Sequence, residues 1–187
     1  MTKKYYPELL KSDIQDVVTV LKEIARIRIE DVAEFNDLDS IFVKPINTID
    51  LVTVSTQFDT TSTTLANVTG LSLDVEAGRT YSFRAVLHYD ADGVGGHKYA
   101  INGTATATAI KYQINSIRNS TNAYVINSRQ TALGGNAGEA GATAGMTTIE
   151  GVITVNAAGT LTVQFAQNAA GGTSSILTGS SFEMVPI

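Results

Sequence analysis

Residues 149–187 constrain the fold more than any other stretch, because their apolar side chains recur with period two. Ile149, Gly151, Ile153 and Val155 fall on one face of a strand, and Leu161, Val163 and Phe165 on one face of the next. Asn156-Ala-Ala-Gly-Thr160 between them is short enough to close a hairpin, with Gly159 free to take a positive φ. After a polar loop, Phe182, Met184 and Pro186 alternate with Ser181, Glu183 and Val185. A last strand therefore runs up to Ile187 and ties the C-terminus into a sheet.

Strand signals continue upstream. Ile49 to Phe58 reads as one strand, rich in β-branched residues. Leu71, Leu73 and Val75 alternate with polar residues, and Tyr81, Phe83, Ala85, Leu87 and Tyr89 line one face with Ser82, Arg84 and His88 opposite. Ile110, Tyr112 and Ile114 mark another strand, and Tyr124-Val-Ile126 a shorter one. Asp90–Gly103 and Leu133–Gly145 read as long glycine-containing loops. Val75-Glu-Ala-Gly-Arg-Thr80 echoes Val155-Asn-Ala-Ala-Gly-Thr160, as two hairpins of one kind. Seven or eight strands without interleaved helices predict a mainly β fold, an antiparallel jelly-roll-like β-sandwich.

The first 48 residues read differently. Residues 1–11 form an arm in which Tyr5, Tyr6 and Pro7 are suited to docking. Ser12-Asp-Ile-Gln15 has the capping-box pattern, and Ile14, Val17, Val18, Leu21, Ile24 and Ala25 follow at helical spacing, which predicts a helix over about 12–30. That stripe would either pack on its own domain or form the seam of a short multi-chain bundle, where alternating Leu and Ile lean towards trimers or tetramers. Residues 31–48 read as a connector in which Pro45 stops any regular element, with the boundary to the β domain near Ile46. The expected division is an N-terminal arm, α-helix and connector over 1–48, for anchoring and oligomerisation, and a β-sandwich over 49–187.

Composition narrows the function classes. Charged residues are 17% of the chain, below the roughly 25% usual for soluble domains, which suits a β protein that buries surface against copies of itself. A net charge of −5 argues against nucleic acid and anionic membrane as partners. The absence of cysteine excludes disulfides, thiolate metal sites and Cys nucleophiles. Met1-Thr-Lys-Lys-Tyr-Tyr-Pro7 lacks the apolar core of a signal peptide, and no run approaches the ~18 apolar residues of a membrane span. The expectation is a chain made in a cytoplasm that reaches the outside, if it does, by a route other than secretion.

Candidate chemistry concentrates in His88-Tyr-Asp-Ala-Asp-Gly-Val-Gly-Gly-His97, which holds both histidines of the chain with Asp90 and Asp92. As a cation site, Asp-x-Asp-Gly matches the opening of a calcium loop, and His88 or His97 would suit a transition metal. The pattern lacks the later oxygen ligands and the closing Glu, and the competing reading is an Asx-rich turn after a strand; no metal and no cofactor are expected. No Gly-x-Ser-x-Gly elbow or pair of convergent carboxylates points to catalysis, so the chain is not expected to be an enzyme. Most of the seven tyrosines fit strand faces, where a core or interface role is commoner than a sugar platform.

Two stretches carry a family resemblance. Asn67-Val-Thr-Gly-Leu-Ser-Leu-Asp-Val-Glu-Ala-Gly-Arg-Thr-Tyr-Ser-Phe-Arg-Ala-Val-Leu-His-Tyr-Asp-Ala91 resembles segments of small structural proteins of tailed bacteriophages and prophages. So do Gly159-Thr-Leu-Thr-Val-Gln-Phe-Ala-Gln-Asn168 and Gly172-Thr-Ser-Ser-Ile-Leu-Thr-Gly-Ser-Ser-Phe-Glu-Met-Val-Pro-Ile187. The resemblance covers most of 65–187. It implies a virion β-sandwich, often a homotrimer, serving as capsid decoration, head fibre or fibre tip, with no catalytic residues. On this reading Tyr5, Tyr6, Ile14, Val17, Leu21 and Ile24 carry attachment or assembly, and the partners are further copies and the major capsid protein or another virion protein. The alternative is a receptor-binding module at a tail-fibre tip, with 90–103 and 133–145 contacting host surface glycan or protein.

Overall fold

The computed structural model describes Thr19 and residues 48–141 and 144–187. All of these but Thr19 belong to one unit, residues 47–187. Of the helix expected over 12–30 only Thr19 is described, and the arm and nearly all of the connector lie outside the described residues.

The unit is built of strands β1 (Asp50–Thr53), β2 (Phe58–Thr60), β3 (Ala66–Val75), β4 (Thr80–Asp90), β5 (His97–Gly103) and β6 (Thr106–Arg118). They are followed by β7 (Ala123–Gln130), β8 (Asn136–Glu139), β9 (Ala144–Ala157), β10 (Gly159–Ala166), β11 (Ser174–Ile176) and β12 (Ser181–Pro186). They make two antiparallel sheets. The larger runs β1-β12-β4-β9-β6-β7, with β11 continuing the edge of β4 and β2 pairing β11; the smaller runs β3-β10-β5-β8.

The registers show how the chain is laid down. Residues 50, 60, 75, 80 and 90 pair with 184, 174, 159, 154 and 144, so each step inward on one limb is matched on the other. The inner pair, β5 with β8, keeps nearly the same register, His97 opposite Glu139. One long antiparallel ribbon has been rolled into two facing sheets. The β6–β7 hairpin is inserted at its tip and widens the larger sheet beyond β9.

This arrangement corrects three sequence expectations. Residues 149–165 are not a hairpin: β9 pairs β4 and β6, while β10 pairs β3 and β5 in the other sheet. Ile153 and Leu161 still both point inward, but from opposite sheets. Residues 75–80 make the same kind of crossing, and the two crossings are bonded side by side, Gly78 N–H to Val155 O and Val155 N–H to Arg79 O, both 2.8 Å. The expected strand over 49–58 is two, β1 and β2, because the partner limb is itself interrupted between β11 and β12. The expected loops 90–103 and 133–145 each contain a strand, β5 and β8, which pair with one another.

The core lies between the sheets, where Leu71, Tyr99, Ile101, Leu161, Val163 and Phe165 of the smaller meet Phe83, Leu87, Ile114, Ile149, Ile153 and Phe182 of the larger. Burying each such side chain stabilises the fold by about 1.5–3 kcal/mol. Tyr112 crosses the gap: its hydroxyl donates to Gly135 O and accepts from Ile101 N–H at 3.3 Å, so a core aromatic also satisfies backbone groups of the opposite layer.

Candidate functional site

The residues proposed from sequence for attachment or assembly, Tyr5, Tyr6, Ile14, Val17, Leu21 and Ile24, lie outside the described residues. The other candidate stretch, 88–97, is described throughout. Period-two alternation along β4 turns Tyr89 inward and leaves His88 and Asp90 exposed. Asp92 then caps the turn: its carboxylate accepts from Val94 N–H at 2.9 Å and Gly95 N–H at 2.6 Å. Backbone bonds from Gly95, Gly172 and Val94 hold that carboxyl below the usual aspartate range. The turn is stapled to the β10–β11 connection by Asn168 N–H to Gly95 O at 2.9 Å and Ser174 Oγ–H to Gly96 O at 2.8 Å. The chain then drives His97 into the interior. The four proposed ligands therefore point three ways, and among the described residues no three His, Cys, Asp or Glu side chains gather as a metal ion would require. The geometry is that of an Asx turn.

His97 instead enters a buried polar cluster assembled from five strands. Its ring packs on Tyr89 of β4, with centroids 4.1 Å apart, and on Tyr99 of β5, at 5.2 Å. Thr147 of β9 donates to Ser116 of β6 at 2.9 Å, and both are buried. Arg118, at the end of β6, has Nη2 3.9 Å from Glu139 Oε1 at the end of β8. His97 is 0% exposed, and neither ring nitrogen has a hydrogen-bond partner; Tyr99 Oη and Arg118 Nε are also buried and unpaired. Burial first, and the positive charge of Arg118 second, push the imidazole down to about 3, so it is neutral at physiological pH. Burial pushes the Tyr99 hydroxyl well above the ordinary tyrosine value and raises Tyr89 as well. The imidazole at its centre is shut off from solvent and has no hydroxyl bonded to it, so the cluster lacks the nucleophile–base contact of covalent catalysis.

Sequence reasoning missed this cluster because its members are scattered over 89–147. The one legible signal was the alternation His97, Tyr99, Ile101, which marks His97 as inward-facing; nothing local names Ser116, Arg118, Glu139 or Thr147 as its neighbours. Of the described tyrosines, Tyr81, Tyr89, Tyr99 and Tyr112 are core residues, and Tyr124 is 63% exposed.

The outer face of the larger sheet is the other extended feature. Cross-strand register lines up Glu183, Arg84, Glu150, Gln113 and Arg129 in one row across five strands. Arg84 Nε lies 2.8 Å from Glu150 Oε1, and Gln113 Nε2 donates to Asn127 Oδ1 at 2.5 Å. Two rows further along the same face, His88, Met146, Ile117 and Tyr124 make a more apolar row. A shallow depression of about 210 Å³ on the same sheet is lined by Ala109, Ile110, Lys111, Val152 and Thr154. Lys111 is the one ionisable group in it.

No protein-family model matches the chain, and no curated protein matches it. Among solved structures, the infectious bursal disease virus VP2 subviral particle is similar at 12% identity, covering 76% of this chain and 42% of that chain with a TM-score of 0.22. The T13 particle of the same virus is similar at 16% identity, covering 76% and 40% with a TM-score of 0.26. This chain thus spans about two-fifths of the capsid chains it aligns with. They are particles of that virus and not tailed-phage proteins.

Proposed function

We propose that this chain is a non-enzymatic structural protein of a tailed-phage virion, a capsid decoration protein or short head fibre. Residues 1–48 attach it and hold a homotrimer together, and residues 49–187 project outward. The observation that carries the reading is the rolled ribbon. Pairing β1 and β2 with β12 and β11, β3 with β10, β4 with β9 and β5 with β8 is the strand order of a jelly roll, an arrangement common in viral capsid proteins. Fold alone does not fix function; the resemblance of 67–91, 159–168 and 172–187 to phage structural proteins supplies the rest. The broad outer face of the larger sheet, with its row of paired opposite charges, suits a surface protein.

The test is immunogold electron microscopy of virions with antibody against residues 49–187. Gold over the head supports decoration or a head fibre. Gold at the tail end replaces this reading by a receptor-binding tip, and virions without gold at either place remove both.

A further inference from the structure

The His97 cluster holds a buried titratable group that the proposed function does not use, at a place where the fold is weakly closed. His97 is paired across the ladder with Glu139, the last residue of β8. Strand β8 has only four register pairs, all to β5, and its side chains, Asn-Ala-Gly-Glu, offer little apolar surface. On its other side β5 pairs with β10 over six residues in the centre of the sheet. Of the elements around β5, β8 is therefore the one that can leave at least cost.

We infer that His97 is an acid-sensitive pin: its neutral ring keeps β8 seated on β5, and its protonation unseats β8 and the turn that follows. The ionisable groups that face the ring are Tyr89 from β4, Tyr99 from β5, Arg118 from β6 and Glu139 from β8. Strand β9 contributes only the Thr147 hydroxyl, bonded to Ser116. In acid the tyrosines are neutral, Arg118 is positive, and Glu139 is the partner of Arg118. An imidazolium here would have two N–H donors, no acceptor and a like charge nearby. It reaches water only if β8 lifts. With β8 lifted the ring regains its ordinary affinity for protons, so each pH unit below ~6.5 favours the open form by up to about tenfold.

Hydrogen exchange of the full chain at pH 7.5 and 4.5, corrected for the intrinsic pH dependence of amide exchange, tests this. The expected result is an opening constant for residues 136–141 that rises up to roughly 100-fold at pH 4.5, while β4 and β9 amides keep their protection. His97→Phe should abolish the rise, and Glu139→Gln should leave it in place. Equal acid opening in His97→Phe, or none in the wild type, overturns the inference. If His97→Phe does not fold, imidazole ¹⁵N shifts of the wild type decide. Proton uptake that tracks β8 opening supports the pin, and uptake or its absence with β8 still protected refutes it.

Discussion

Gly151 shows how much one position can decide. It lies between Phe83 and Tyr112 on neighbouring strands, and their rings, 6.1 Å apart, close over it. A Cβ there would stand 2.4 Å from Tyr112 Cβ and 2.5 Å from Lys111 O, atoms that cannot swing aside. Gly151→Ala is expected to cost about 1–3 kcal/mol through overpacking, measured by urea denaturation at neutral pH. His97 acts at the same scale through protons. Its folded pKa of about 3 lies below its ordinary 6.5, so the folded state resists the proton that the unfolded chain accepts. Its contribution to stability is complete above pH 6.5 and declines as pH falls towards 3, by up to about 1.4 kcal/mol per unit. Asp92, whose carboxyl is also held low, weakens the fold only as pH falls below its ordinary 3.8. Global denaturation between pH 7 and 4.5 should therefore show a slope that His97→Phe flattens and Asp92→Asn does not.

At the scale of elements, the seam between β11 and β12 is the most demanding junction. Both strands pair with β4, and the chain must step over residues 177–180 without leaving the ladder open. Ser180, fully buried, fills the step: its Oγ accepts from His88 N–H at 2.9 Å and donates to Leu177 O at 2.8 Å. The outer limb is stitched to the same place by Val54 N–H to Ser180 O at 2.8 Å. Ser180→Ala would strand the His88 N–H and is expected to cost about 1–3 kcal/mol, read as a lowered denaturation midpoint, with Ser180→Thr separating loss of the bond from loss of packing. Strand β12 was legible as alternating sequence, whereas β11 fell in the stretch that reads as a polar loop. The grouping of strands into sheets was not legible, because alternation reports which side chains face inward and not which backbone pairs with which. Hairpin and crossing both satisfy the pattern over 149–165. Strand β8 was illegible for a different reason: Asn-Ala-Gly-Glu has almost no β preference, and it is a strand because β5 offers it an open edge.

For the whole molecule, the rolled ribbon makes nearly every pairing long-range, with Asp50 opposite Met184. Such topologies fold slowly. The proposed division of labour predicts that assembly and folding are separable. Leu21→Asp with Ile24→Asp should reduce the oligomer to monomer by light scattering while the thermal midpoint of the β unit moves by only a few degrees. An unchanged mass would remove residues 12–30 as the assembly element.

The sequence by itself determined that this is a β protein, where most of its strands run and which residues of each face inward. Those follow from period-two alternation and glycine placement, which are local. It also offered an Asx-rich turn after β4 as one of its two readings of 88–97. The tertiary structure decided what depends on contacts between distant residues: that 75–80 and 155–160 cross between sheets, that 97–103 and 136–139 are paired strands, and that His97 sits with Tyr89, Tyr99, Arg118 and Glu139. Pairing partners are chosen by the free energy of closing the whole core, and no window of sequence contains that quantity.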